Sequence, residues 1–371
     1  MASGQQVLDC DVLIAGGGPA GLAVAISAAI NGLSAIVIER RSSAPDKACG
    51  ECLMPPAVRA LEQLGVRDLV DPAFISPIEG IRFKIAGGAF AQARLPVPGG
   101  LGVRRIALTE AMVQRARGLG AEIRERTSAL RFVVEPDRVI TETNAGPIRS
   151  RFLAAADGLS SRLRVSAGLQ ATTYGPQRFG LRQHFRVPPW THFVEVHLAD
   201  GVEAYVTPVG PTRVGVAFLW NNRERVSIDK LLGRFPALAA RVAGATVDSR
   251  PLGAGPMARL VLARTANRFA LVGDAAGYVD AITGEGLSLA LISATTLGTI
   301  LPEVLKRGAT RSALIAYERD CERRFRHYSL VTRTMLAFAG RPALHGPVIA
   351  ILARHPRVLS ALLKFGQIES A

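Results

Sequence analysis

Cysteine is scarce in this chain: four in 371 residues do not make a disulfide framework. Only Cys49 and Cys52 lie close together, and Cys10 and Cys321 add no ligands at a zinc-like spacing, so no metal is expected. Aromatic residues are 6% of the chain, with two tryptophans, and few stand between basic residues. There is no long basic run either, although the formal net charge is +15 and Arg far outnumbers Lys. That pattern argues against nucleic acid and reads mainly as solvated surface, with peripheral contact to an anionic membrane still open. The first residues lack a basic segment followed by an apolar stretch and a cleavage site, so no signal peptide is expected. The uncharged run 286–302 contains Ser and Thr and is too short and polar for a membrane span. A reducing cytoplasm is the expected compartment. Internal repeats and low-complexity segments are absent, and nothing fixes the oligomeric state.

What is present is concentrated in residues 10–39, which read strand, glycine turn, helix, strand. An apolar run over 10–15 ends in Gly16-Gly17-Gly18-Pro19-Ala20-Gly21. Gly16 allows the sharp turn out of the strand, Gly18 lets a pyrophosphate approach the backbone, and Gly21 lets the helix pack on the sheet. The free N–H groups and positive end of that helix then face the phosphates. Glu39, at the tip of the second apolar run, is placed to accept hydrogen bonds from both ribose hydroxyls.

Two more short apolar runs end in glycine-bearing turns, at Ala156-Asp157-Gly158 and Val272-Gly273-Asp274. In an open α/β sheet ligands sit at the carboxyl ends of the strands, so all three turns can reach one extended ligand if their strands share a sheet. Gly284-Glu285-Gly286 precedes a further helix and offers a second helix N-terminus. Gly87-Gly88 reads as a hairpin turn. From about 175 to 262, alternating runs broken by Pro and Gly suggest an antiparallel sheet, and everything beyond Glu285 is mostly helical.

GGGPAG at 16–21, Glu39, Arg105-x-x-Leu108, ADG at 156–158 and GDAAGYVDAITGEG at 273–286 together resemble the FAD-dependent monooxygenase and geranylgeranyl-reductase superfamily of aromatic-hydroxylase-like flavoproteins. The resemblance implies an α/β fold: a Rossmann-like FAD-binding domain with an inserted antiparallel β-sheet substrate domain and C-terminal helices. The expected division is 1–75, 100–165 and 265–305 for FAD, 76–99 and 170–264 for substrate, and 306–371 for the helical region. By the same resemblance Gly16, Gly18 and Gly21 hold the FAD pyrophosphate, and Glu39 the adenosine ribose, with Arg40 beside it. Arg105 contacts FAD, Asp157 lies near the pyrophosphate, Gly273 and Asp274 meet the ribityl chain, and Gly284, Glu285 and Gly286 lie against the flavin ring. Ala281 stands where many relatives have proline.

The implied activity is an FAD-dependent oxidoreductase with NAD(P)H as transient reductant. The first expectation is a monooxygenase that hydroxylates an apolar or aromatic small molecule through a flavin hydroperoxide. The alternative is a geranylgeranyl-reductase-like reduction of carbon–carbon double bonds, favoured by Lys47-x-Cys49-Gly50-Glu51, which resembles the Cys-Gly turn of those enzymes. A flavin/dithiol redox protein or a non-catalytic flavin binder is the lesser alternative. Tyr205-Val-Thr-Pro208 falls where those reductases carry Tyr-x-Trp-x-Phe-Pro, and the missing Trp and Phe speak against a long isoprenoid. Cys49 reads as a pocket residue, one half of a redox dithiol with Cys52, or inert packing. His184 is a pocket base or a hydrogen-bonded histidine, and Tyr205 orients substrate or packs in the core. The helices from 310 onward pack on the sheet, cover the pocket or touch a membrane.

Overall fold

The computed structural model describes residues 8–42, 46–169, 171–172, 177–221 and 226–368. Positions 43–45 of the loop after Glu39, the first seven residues of the expected FAD segment and N-terminal leader region, positions 170, 173–176 and 222–225 of the substrate segment, and the last three residues of the helical region lie outside them.

In chain order the first half runs β1 (Cys10–Ala15), α1 (Pro19–Ile30), β2 (Ala35–Ile38), β3 (Cys52–Leu53), α2 (Pro55–Gln63), β4 (Ile75–Ile78), β5 (Gly80–Ile85), β6 (Phe90–Arg94), β7 (Gly100–Val103), α3 (Arg105–Gly118), β8 (Glu122–Arg124), β9 (Ala129–Val134), β10 (Val139–Thr143), β11 (Gly146–Ala155) and α4 (Arg162–Ser166). The second half continues with β12 (Ala171–Thr172), β13 (Phe179–Arg186), β14 (Phe193–Ala199), β15 (Val202–Pro208), β16 (Val214–Trp220), α5 (Ile228–Leu232), α6 (Pro236–Val242), β17 (Thr246–Val247), β18 (Leu252–Ala254), β19 (Leu260–Val261), β20 (Thr265–Ala266) and β21 (Phe269–Leu271). It closes with α7 (Gly286–Lys306), α8 (Ile315–Ala339), α9 (Pro342–Arg354) and α10 (Pro356–Gly366).

The first sheet runs β20-β21-β11-β1-β2-β8, with β10 and β9 added beside β11. Its central strands β21, β11, β1 and β2 are parallel. Strands covered on both faces must be apolar throughout, and Val12, Leu13 and Ile14 are fully buried. One face is closed by α1 and α7, which pack closely: Gly298 lets α7 approach until a Cβ there would lie 2.5 Å from that of Ser27. Among the described residues α7 is the one single helix long and apolar enough to cross a membrane, but Leu291, Ala294, Leu297 and Leu301 are buried in this core.

The second sheet runs β17-β13-β16-β15-β14-β5-β6, with β18 beside β13. The β5–β6 hairpin turns at Gly87 and Gly88, both at positive φ. The expectation of a wholly antiparallel sheet is corrected at one place, where β14 pairs with β5 in parallel from Phe193↔Gly80 to Leu198↔Ile85. β5 comes from a segment far away in sequence, so no hairpin dictates its direction.

A small sheet β3-β7-β4 joins the two large ones, and the boundaries expected at 75/76 and 99/100 run through it. The approach is tight, since a Cβ on Gly102 of β7 would stand 1.7 Å from the Pro208 carbonyl oxygen at the end of β15.

Candidate active site

Ala15, Ala155 and Leu271 stand side by side in the parallel register, so the three glycine-bearing turns leave the sheet at one level. Gly16 has φ +119°, and a Cβ there would overlap the Ala156 carbonyl oxygen at 2.3 Å. The third turn is drawn onto the first turn of α1, where a Cβ on Gly273 would meet that of Ala20 at 2.7 Å.

This is a cradle for an anionic, extended ligand. Helix α1 has Gly18 at its N-cap, with no side-chain cap and no acid in the first turn, so its leading N–H groups are free for a ligand. A Cβ on Gly18 would have one close neighbour, Arg105 Nη2 at 3.6 Å. Arg105 opens α3, is buried, and its Nε has no partner. Glu39 sits at the tip of β2, where Oε2 accepts from Gly17 N–H at 2.9 Å and Oε1 from Arg41 N–H at 3.0 Å. Arg40 follows it, exposed. Asp274 faces Lys47, 3.5 Å away, and a Cβ on Gly158 would be 3.0 Å from the same ammonium. Lys47 thus stands between the second and third turns, a placement that sequence spacing does not show. Asp157 is placed differently from a free phosphate-side group: its Oδ2 accepts from the N–H groups of Arg162 and Leu163 and holds the start of α4.

The start of α7 carries the clearest sign of a ligand. Thr283 Oγ1, both Glu285 carboxylate oxygens and Ser288 Oγ are buried and none makes a well-formed hydrogen bond, although the Ser288 hydroxyl stands near enough to the Glu285 carboxyl to work against its upward shift. Unmatched buried polar atoms are costly and rare, and four within six residues mark a site that something else completes. Gly284 has φ +71°, and Tyr278 covers Gly286 so closely that a Cβ there would touch its ring at 3.0 Å. Glu285 is 2% exposed, and burial pushes its carboxyl up to about 8. Its folded pKa lies above the ordinary 4.5, so stability is fully present below pH 4.5 and declines as pH rises toward about 8. Glu285→Gln is expected to flatten that decline and to raise the melting temperature at pH 8 relative to wild type; thermal unfolding at several pH values measures it.

Across from Glu285 lies Cys52. Burial first, and then the charges of Glu285 and Cys49, push its thiol up to about 12. A thiol so protonated is a poor nucleophile. Both cysteines are free, and Cys49 Sγ accepts from the Glu51 N–H at 3.3 Å. Among the described residues no group of three His, Cys, Asp or Glu side chains could hold a metal ion. Beyond Cys52 the wall is apolar: Tyr205, Met335 and Phe338 pack about it, with Tyr278 and Leu336 in the adjoining cluster. Tyr205 donates its O–H to the Ile282 carbonyl at 3.2 Å and so props the loop leading to Glu285. α8 supplies Met335, Leu336 and Phe338 to these clusters, and α9 and α10 pack on the β5–β6 hairpin.

The turn 47–51 is fixed by a buried ion cluster that no motif announced. Glu51, 2% exposed, adopts φ +57°. Its Oε1 accepts from Arg104 Nη1 at 3.1 Å and from the Arg105 N–H at 2.8 Å, and its Oε2 lies 2.5 Å from His184 Nε2. Of the two readings of His184, pocket base or hydrogen-bonded histidine, the second holds: it is fully buried inside this cluster. Its Nδ1 is 3.0 Å from Arg182 Nη1 and 2.8 Å from Ser249 Oγ. A neutral ring with its proton on Nε2 donates to Glu51 and accepts at Nδ1, with Arg104 Nη1 also 2.9 Å from Nε2, and burial lowers the imidazole pKa. Arg182 also donates to Asp46 and to the Lys47 carbonyl, and Thr207 to the Gly50 carbonyl. The second sheet therefore holds the turn that carries Lys47 and Cys49 against the cradle. The only local hint was an acid within the apolar stretch Cys49–Met54; its partners come from distant segments.

The profile of the FAD binding domain family matches residues 9–331. Digeranylgeranylglycerophospholipid reductase 1 of Methanopyrus kandleri is 28% identical over 351 residues, covering 86% of this chain and 88% of that protein. Dialkyldecalin synthase of Streptomyces rugosporus is 27% identical over 328 residues, 83% of this chain and 68% of the relative. The crystal structure of p-nitrophenol 4-monooxygenase from Pseudomonas putida superposes with a TM-score of 0.82 at 22% identity, over 97% of this chain and 98% of that one, which shows a shared fold. A glycine cradle at the ends of three parallel strands, a buried guanidinium beside it and the family match over most of the chain agree: this protein belongs to the FAD binding domain family of oxidoreductases.

Proposed function

We propose that the chain reduces a carbon–carbon double bond of an apolar small molecule, with FAD as its cofactor and NAD(P)H as transient reductant in the cytoplasm. The observation that carries this reading is Glu285, a buried carboxylic acid with neither oxygen in a well-formed hydrogen bond, at the junction of the cradle and the apolar wall. Saturating a double bond takes a hydride and a proton. FAD, when bound and reduced, supplies the hydride. The protein must supply the proton, and a carboxyl held neutral near pH 7 is suited to do so. Glu285 would give its proton to the second carbon, be left as a carboxylate, and be recharged from solvent. The ring of Tyr278 and the side chains of Cys52 and Met335 exclude water, and the Glu51 cluster fixes the turn opposite. The name of the Methanopyrus relative agrees with this reaction.

Hydroxylation of an aromatic molecule is the second reading, favoured by the two rings, Tyr205 and Tyr278, in the apolar cluster beside Glu285. Photoreduced holoprotein mixed without oxygen with geraniol, a short isoprenoid, separates the two. Reoxidation of the flavin with a product that has gained two hydrogens is expected, and Glu285→Gln should slow that step by a factor of ~100–10,000, the usual worth of a positioned general acid. Turnover only with oxygen, and a product that has gained one oxygen atom, overturns reduction in favour of hydroxylation.

A further inference from the structure

The C-terminal segment 323–368 holds eight Arg and Lys residues and no Asp or Glu. In a chain with 30 acids among 371 residues, an acid-free stretch of this length creates a one-sided positive field. Arg323 and Arg324 share the single carboxylate of Asp320 from outside the stretch. Arg354, Arg357 and Lys364 are exposed and, among the described residues, have no acidic partner within ion-pair distance.

The same helices keep an apolar stripe out of the core. α9 and α10 both lie against the β5–β6 hairpin and bury Ile349 and Leu359 in its cluster. On other faces α9 exposes Leu344 (42%) and Ile351 (56%), and α10 exposes Val358 (50%), Leu362 (53%) and Phe365 (59%). Spacings of four and three residues put Val358, Leu362 and Phe365 on one side of α10, flanked by Arg357 and Lys364. Leaving five large apolar side chains half in water is unfavourable, and the core gains nothing from it.

We infer that α9 and α10 dock this protein on an anionic lipid bilayer, with the apolar stripe in the headgroup–acyl boundary and the cations over the phosphates. An apolar stripe edged by Arg and Lys, without acids, is the pattern of an in-plane interfacial helix. A second copy of the chain fits this face poorly, because a like face would bring unpaired cations together. Nucleic acid would match the charge but not the exposed Leu, Ile and Val. The inference does not depend on the reaction proposed above.

Vesicle co-sedimentation of the full, FAD-loaded protein tests it. Binding to vesicles of phosphatidylcholine with phosphatidylglycerol is expected, with little binding to phosphatidylcholine alone and a steep loss with salt. Arg357→Gln with Lys364→Gln should weaken binding roughly fivefold per cation removed. Leu362→Ser with Phe365→Ser should reduce it at least as much, while FAD binding and the far-ultraviolet dichroism stay unchanged because these side chains are exposed. No binding to the anionic vesicles, or binding that neither double variant weakens, overturns the inference. So does a concentration-dependent dimer in size-exclusion chromatography that the Leu362/Phe365 variant dissolves, which would assign the face to a second copy.

Discussion

Replacing Gly21 with alanine is expected to leave a protein that no longer retains FAD through gel filtration. A Cβ at this position would stand 1.9 Å from the Gly16 carbonyl oxygen and 3.1 Å from Ile14 Cγ2. The first neighbour is backbone, so no rotamer change relieves it, and either α1 or the turn must move. Forcing an extra carbon into such a contact costs about 1–3 kcal/mol of stability. The larger effect falls on the ligand, because the displaced parts carry the N–H groups that the pyrophosphate needs. Loss of ~2–3 kcal/mol of binding energy corresponds to roughly a hundredfold weaker affinity. Fluorescence titration of the apoprotein with FAD measures it. Gly32→Ala is the control: Gly32 also has positive φ, +78°, but a Cβ there would meet nothing within 4 Å. That variant should lose about 1–2 kcal/mol to backbone strain and keep its FAD affinity. An unchanged affinity in Gly21→Ala would remove the turn from the site.

Glu51→Ala should be the most destabilising single change at the joint between the sheets. It strips the shared acceptor from Arg104 and His184, with Arg182 alongside, and leaves buried positive charge uncompensated. Removing one partner of a buried ionic cluster costs about 3–5 kcal/mol. Glu51→Gln keeps the shape and loses the charge, and should fall between wild type and alanine. The cluster also sets an acid limit. Burial acts to raise the Glu51 pKa, but His184, Arg182 and Arg104 outweigh it and hold the carboxyl below its ordinary 4.5. The folded value is lower than the unfolded one, so this stability is present above pH 4.5 and is lost as pH falls through the folded value. His184, held below its ordinary 6.5 by burial, acts in the same direction from pH 6.5 downward. Denaturant unfolding between pH 7 and 4 should therefore show wild-type stability falling with acid, and Glu51→Gln should show a shallower fall. Equal slopes would mean that the carboxylate is not what holds the turn.

The cluster accounts for an unusual backbone. A glutamate at φ +57° accepts strain that a glycine would avoid. Only a side chain with two acceptor oxygens can meet Arg104, the Arg105 N–H and His184 together, so the charge outweighs the conformational cost.

The cradle was legible in the chain because it is local. The glycines at 16, 18 and 21, the buried helix behind them and Glu39 at the next strand tip each follow from steric and hydrogen-bonding rules within thirty residues. The two later turns were legible as motifs, and their meeting followed from the parallel-sheet rule, which the register of Ala15, Ala155 and Leu271 satisfies. Three features were decided only in three dimensions: Glu285 as a buried neutral acid, His184 inside an ion cluster, and Lys47 between two turns. Burial and electrostatics depend on which distant segments close over a side chain. Cys52, Tyr278 and α8 lie far apart in sequence, and no spacing rule brings them together. Backbone conformation is written within a few residues, whereas the charge state of a side chain is written by everything that surrounds it.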